Sequence, residues 1–149
     1  MGLSAEQFVW LYGRHFGAMQ PPRASLVIRS EEQAGFVSAL AAFLLNHVRE
    51  SGAADMADAE CLASIIAHAC LRQDHLWRDL GLGGRDEVTD MLSRYFPALV
   101  MRNVDGMRWK KFLARELALS LGRAPQPAPG CPGCEDFGFC FGDKSEHRA

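Results

Sequence analysis

The sequence predicts an all-α protein: a compact bundle of about five helices carrying an irregular, cysteine-bearing segment at its C-terminal end. Three observations lead there. Apolar residues recur at helical spacing in successive stretches of the chain. No stretch alternates apolar and polar residues as a half-buried strand does. Proline, glycine and small polar residues punctuate the stretches where helices would have to stop.

The first helix is read in "SAEQFVWLYGRHF", where Ser4 and Gln7 form a capping box and Phe8, Leu11, Tyr12 and Phe16 give an apolar stripe, weakened by Gly13. "MQPPRAS" breaks it, because adjacent prolines cannot continue a helix. "SEEQAGFVSALAAFLLNHVRE" is the strongest helical pattern. Ser30 caps it, Glu31 and Glu32 suit its positive end, and Phe36, Val37, Leu40, Phe43, Leu44 and Val48 make a wide apolar face. "SGAAD" is its stop. A third helix is expected from Met56 to Leu71 on Leu62, Ile65, Ile66 and Ala69. "QDHLWRDLGLGG" is a turn-rich connector, and "RDEVTDMLSRYF" resumes helical spacing until Pro97. In "DGMRWKKFLARELALSLG", Trp109, Phe112, Leu113 and Leu117 share one side, with Arg108, Lys110, Lys111 and Arg115 largely elsewhere; Gly122 ends the helix.

The chain thus divides into a helical domain, residues 1–122, and a Pro/Gly-rich segment, residues 123–149. That segment has four prolines, four glycines and few aliphatic residues, so it cannot build a core by itself; coordination of an inorganic centre could order it instead. Its "CPGCEDFGFC" places Cys131, Cys134 and Cys140 close together. Thiolates are soft ligands for iron–sulfur clusters and for zinc, and this spacing serves both. Phe137, Phe139 and Phe141 are candidates to shield such a centre from water. The same thiols could also be incidental to a tail with no metal at all.

Across its 149 residues the chain is 48% hydrophobic and 23% charged, with a formal charge of −2, giving no electrostatic reason to expect nucleic acid. No apolar run reaches membrane-spanning length, and no secretory signal is visible, so the cytoplasm is the expected compartment. Five cysteines cannot all pair within one chain. Cys61 and Cys70 read as small core residues, although Cys61, His68 and Cys70 are also candidate metal ligands, as is His75 in the connector. Arg108, Lys110, Lys111 and Arg115 are candidates for binding an oxyanion or a partner, against the simpler reading of a solvated helix face. No phosphate loop, catalytic triad or helical zinc-protease motif is present, so nothing points to turnover of an organic substrate.

Three segments in order, "DHLWRDLGL", "GMRWKKFLARELA" and "CPGCEDFGFCFG", resemble the NifQ family of accessory proteins for molybdenum nitrogenase cofactor assembly. The resemblance covers residues 30 to 142 and is firmest from Asp74 onward. The family pattern is Cys-x4-Cys-x2-Cys-x5-Cys; Cys131, Cys134 and Cys140 match its last three positions, and Gln126 stands at the first. Ala118 stands where some relatives carry a further cysteine. The resemblance implies a metal-trafficking protein rather than an enzyme. It would process molybdenum, drawn from molybdate, and deliver it as a Mo–Fe–S species for the iron–molybdenum cofactor. Implied partners are the cofactor scaffold (NifEN) and the nitrogenase iron protein (NifH). Three thiolates could hold a 3Fe–4S cluster, or a 4Fe–4S cluster with one exchangeable corner, the reading preferred here for a donor. Alternatively Cys61, Cys70 or a histidine completes the set, or cluster binding has been lost. The other functional classes are an iron–sulfur electron-transfer or redox-sensing module and a structural zinc-binding interaction protein.

Overall fold

Helix α1 (Ala5–Phe16) starts on the reciprocal capping box: Gln7 N–H donates to Ser4 Oγ at 3.1 Å, and Ser4 N–H donates to Gln7 Oε1 at 3.0 Å. This computed structural model describes residues 3–16, 29–49 and 53–142; the "MQPPRAS" break lies outside them. Leu3 and Phe8 pack with Cys61 in a small satellite cluster, and Asp58 holds Arg14 and His15, each at 3.2 Å.

Helix α2 (Glu31–Leu45) is capped by Ser30 Oγ, which accepts from Gln33 N–H at 3.2 Å. It ends earlier than the apolar pattern suggests. His47 and Val48 lie past its end, and Arg49 N–H donates at 2.9 Å to the Tyr95 carbonyl, so a tertiary contact redirects the chain. Helix α3 (Ala53–Ala69) begins within the expected "SGAAD" stop and packs along α2. The connector contains a short helix, α4 (Leu76–Asp79), before α5 (Arg85–Tyr95). Pro97 opens α6 (Pro97–Arg102), its missing N–H harmless in a first helical turn. Helix α7 (Trp109–Ser120) stops at Gly122, whose φ of +66° and following Arg123 N–H to Ala118 carbonyl bond, 2.8 Å, close the end. The five long helices are those the periodicity predicts, and no strand occurs among the described residues.

The core joins Leu40 and Leu44 of α2, Ile66 of α3, Leu92 of α5, Phe96, Leu99 of α6, and Phe112 and Leu113 of α7, all fully buried. Ala128 and Cys131 belong to this same core, and Phe137 and Phe141 pack against it. The C-terminal segment therefore makes protein contacts of its own with the helical body, beside whatever coordination of a centre would add. Gly130 N–H donates to the Cys70 carbonyl at 2.9 Å, and a Cβ at Gly130 would stand 1.9 Å from the Arg72 carbonyl oxygen. Only glycine permits so close an approach. Beyond it lie a 3₁₀ turn (Cys131–Gly133) and helix α8 (Phe137–Phe141). No helix among the described residues is long and apolar enough to cross a membrane.

Candidate metal centre

Docking of this segment closes one wall of a cleft. The opposite walls are Asp74, His75, Leu76 and Trp77 at the start of α4, Arg85 and Val88 in the first turn of α5, and Arg108 to Lys111 at the start of α7. Cys131, Cys134, Cys140 and Phe141 complete a lining around a cavity of about 70 Å³. Local geometry brings the thiols there. The Pro132-containing turn returns Cys134 N–H to the Cys131 carbonyl at 2.9 Å, and α8 returns Cys140 N–H to the Asp136 carbonyl at 3.0 Å.

Burial raises the Cys131 and Cys140 thiols above the ordinary value. Lys110 opposes the shift at Cys131, and Arg108 and Lys111 oppose it at Cys140. The sulfurs share the cleft without all three lying within 4.8 Å of one another. Two sulfurs on one zinc ion, each about 2.3 Å from it, stand at most about 4.6 Å apart. The arrangement is wider than a preformed mononuclear site.

Four cations line the same cleft, and their partners differ. Arg108 meets Asp136 at 2.9 Å and lies over the Phe139 ring. Lys110 is buried, paired with Asp79 at 2.5 Å and donating to the Arg72 carbonyl at 3.0 Å; the expectation of a solvated position is corrected, because Asp79 is equally buried and requires a counter-charge. Lys111 donates to the Cys140 carbonyl and lies over Phe141. Arg85 donates to the carbonyls of Gly106 and Met107 at 2.7 and 2.9 Å. Among the described residues, Arg85 and Lys111 meet no carboxylate, so their charge is available to an anion. The N-termini of α5 and α7 add partial positive charge at the same place.

His75 also lines the cleft. Its ring lies parallel to Trp77, 6.3 Å between centroids, and Nε2 stands 3.2 Å from Asp136 and 3.6 Å from Glu135. Asp74, His75 and Glu135 bring three ligand atoms within 4.8 Å. Asp74 and Glu135 are both held by Arg78, at 3.0 and 2.9 Å. The His75 N–H, with Arg78, keeps the Asp74 carboxyl below the usual range.

The remaining sequence candidates lie elsewhere. Cys61 sits in the satellite cluster near α1. His68 Nδ1 bonds the Ser64 carbonyl at 2.8 Å within α3. Cys70 is fully buried in the main core, outside the cleft lining, with its thiol pushed up to about 12 chiefly by burial. Arg115 donates to Met107 Sδ at 3.2 Å. Gln126 is exposed and lines a separate groove between α2 and α7 with Gln33 and Leu117. Phe139 is 80% exposed, so it does not shield the thiols as expected; Phe141 does line them. Sequence reasoning missed Arg85, Asp136 and Trp77. Asp136 was visible between Cys134 and Cys140, whereas nothing local marks Arg85 as facing the thiols.

A family model described as NifQ matches residues 1–142. The Protein NifQ homolog of Sinorhizobium fredii (strain NBRC 101917 / NGR234) is 39% identical over 115 residues, 77% of this chain and 48% of its own length. Protein NifQ of Azotobacter vinelandii is 47% identical over 81 residues, covering 54% of this chain and 42% of that one. Protein NifQ of Klebsiella pneumoniae is 42% identical over 85 residues, 56% and 51% of the two chains. The chain thus spans about half the length of these curated relatives. No solved structure matches it significantly.

Proposed function

The chain belongs to the NifQ family, and from that premise we propose that its cleft takes in molybdate and holds molybdenum as a Mo–Fe–S species for nitrogenase cofactor assembly. The observation that carries this reading is the convergence of Cys131, Cys134 and Cys140 with Arg85, Arg108 and Lys111 on one cavity. Thiolates are the ligands an iron–sulfur unit requires, and a cationic wall at two helix N-termini suits a tetrahedral oxyanion. The donor set fits the cargo. Cys131, Cys134 and Cys140 would hold it, Phe141 and Trp109 would limit water around it, and Arg85 and Lys111 would attract the incoming anion.

The protein acts, on this reading, as a metal-trafficking accessory and not as an enzyme. The cysteine segment opens on one side of the bundle, where the exposed Phe139 and the flanking Arg78 and Arg108 form a face for the cofactor scaffold (NifEN) and the nitrogenase iron protein (NifH). A cytoplasmic site of action follows from that partnership.

Metal and sulfide analysis of anaerobically purified protein, with and without molybdate, tests the reading alongside electron paramagnetic resonance. Iron, sulfide and molybdate-dependent molybdenum are expected, all lost in Cys134→Ala. Lys111→Ala is expected to retain iron and sulfide while taking up several-fold less molybdenum. Iron and sulfide that never acquire molybdenum would make this a redox module, and zinc alone would make it a structural metal protein.

A further inference from the structure

We propose that His75 is the fourth donor of the cysteine cleft, its Nδ1 taking the coordination position that Cys131, Cys134 and Cys140 leave over. The inference rests on the cluster reading above and concerns how the cluster is completed. Iron–sulfur clusters are ordinarily held by four protein ligands, and histidine replaces cysteine in some of them. The other two cysteines do not line the cleft: Cys61 lies in the satellite cluster and Cys70 is enclosed in the main core. Apart from the three thiols, the cleft's metal-ligating side chains are Asp74 and His75. Asp74 is committed, accepting from the His75 N–H at 2.7 Å and from Arg78 at 3.0 Å.

His75 is prepared for the role. Its side chain is only 13% exposed, and the parallel Trp77 ring fixes its plane. The two carboxylates facing Nε2 can only accept, so in the neutral imidazole they favour the tautomer with the proton on that nitrogen and the lone pair on Nδ1. Among the described residues no polar partner is found for Nδ1. A carboxylate on one ring nitrogen and a metal on the other is the usual outer arrangement of a ligating histidine. Here the orienting carboxylate, Asp136, lies between Cys134 and Cys140, so one segment supplies both the thiols and the group that aims the imidazole. A neutral imidazole is held less tightly than an anionic thiolate, which leaves one corner that can be released when cargo is handed on.

The test is pulsed electron paramagnetic resonance of the anaerobically purified, paramagnetic full-length chain, with natural-abundance and with ¹⁵N-labelled histidine. A histidine nitrogen coupling that changes with the label is expected in the wild type and is lost in His75→Gln and His75→Cys. His75→Cys is expected to keep its iron and sulfide, because a thiolate takes the vacated corner, and the loss of the label-dependent nitrogen coupling is what separates a ligand from a merely structural histidine. A cluster without histidine coupling, or coupling that survives both substitutions, would overturn the proposal and leave the cluster reading standing. A chain that takes up neither iron nor sulfide would overturn both.

Discussion

Lys110 and Asp79 show how a residue that reads as surface charge becomes structural. Each side chain is less than a tenth exposed, and Asp79 also accepts from Arg72 Nε at 3.1 Å. Removing one partner of a buried pair strands the other, so Asp79→Ala is expected to cost about 3–5 kcal/mol in urea unfolding. Lys110→Met should cost less, because Arg72 remains on Asp79, and the double variant should lose less than the two single losses added. Cys70 supplies a pH test. Its thiol titrates at the ordinary 9.0 when unfolded and near 12 when folded. The folded pKa is raised, so this contribution is intact below pH 9 and is lost as pH rises through the interval to 12. Above pH 9 the metal-free, reduced protein should lose up to about 1.4 kcal/mol per pH unit from this group. Urea midpoints at pH 8 and 10 check this; Cys70→Ala should start less stable and decline less steeply.

At the scale of elements, the cysteine segment is held to the body by side chains that join the core, by ion pairs and by one close backbone approach. Gly130 makes a close backbone approach to Arg72, three residues beyond the end of α3. Gly130→Ala should leave the far-ultraviolet circular dichroism of the long helices unchanged while undocking residues 128–142. Faster hydrogen exchange confined to that segment and a several-fold drop in bound iron are the expected readouts; unchanged exchange there would show that the contact is not what docks it. The α4 turn works from the other side, since His75 and Trp77 reach the cleft from a four-residue helix whose start is fixed by Asp74. Both walls are short elements, and both lean on the rigid starts of α5 and α7.

For the molecule as a whole, the core and the cleft share a wall, since Leu76, Val88, Trp109 and Cys131 belong to both. The core from Leu40 to Leu113 is built from side chains of the long helices and their connections, and Ala128 and Cys131 join it directly. Chelation or oxidative loss of the cargo should therefore leave helical content intact and lower the melting temperature by a few degrees, unlike a zinc finger, which unfolds without its metal. Circular dichroism melts of loaded and stripped protein measure the difference, and collapse to an unfolded chain would show that the centre holds the fold.

The all-α class, the five long helices, both helix caps and the three clustered thiols were legible in the sequence, because periodicity, capping and ligand spacing are local. Ser4, Ser30 and Gly122 act where their neighbours predict. Where α2 stops, which lysine is buried, and which cation faces the thiols depend on contacts between residues distant in the chain. Arg49 meets Tyr95, Lys110 meets Asp79, and Arg85 shares a cavity with Cys131. The sequence by itself thus determined the kinds of element and the clustering of three thiols in one short segment. Only the tertiary structure decided the membership of the cleft, gathering His75, Arg85, Lys111 and the three cysteines and leaving Cys61, His68, Cys70 and Gln126 outside. The physical reason is that burial and charge pairing belong to the packed chain and have no local signature.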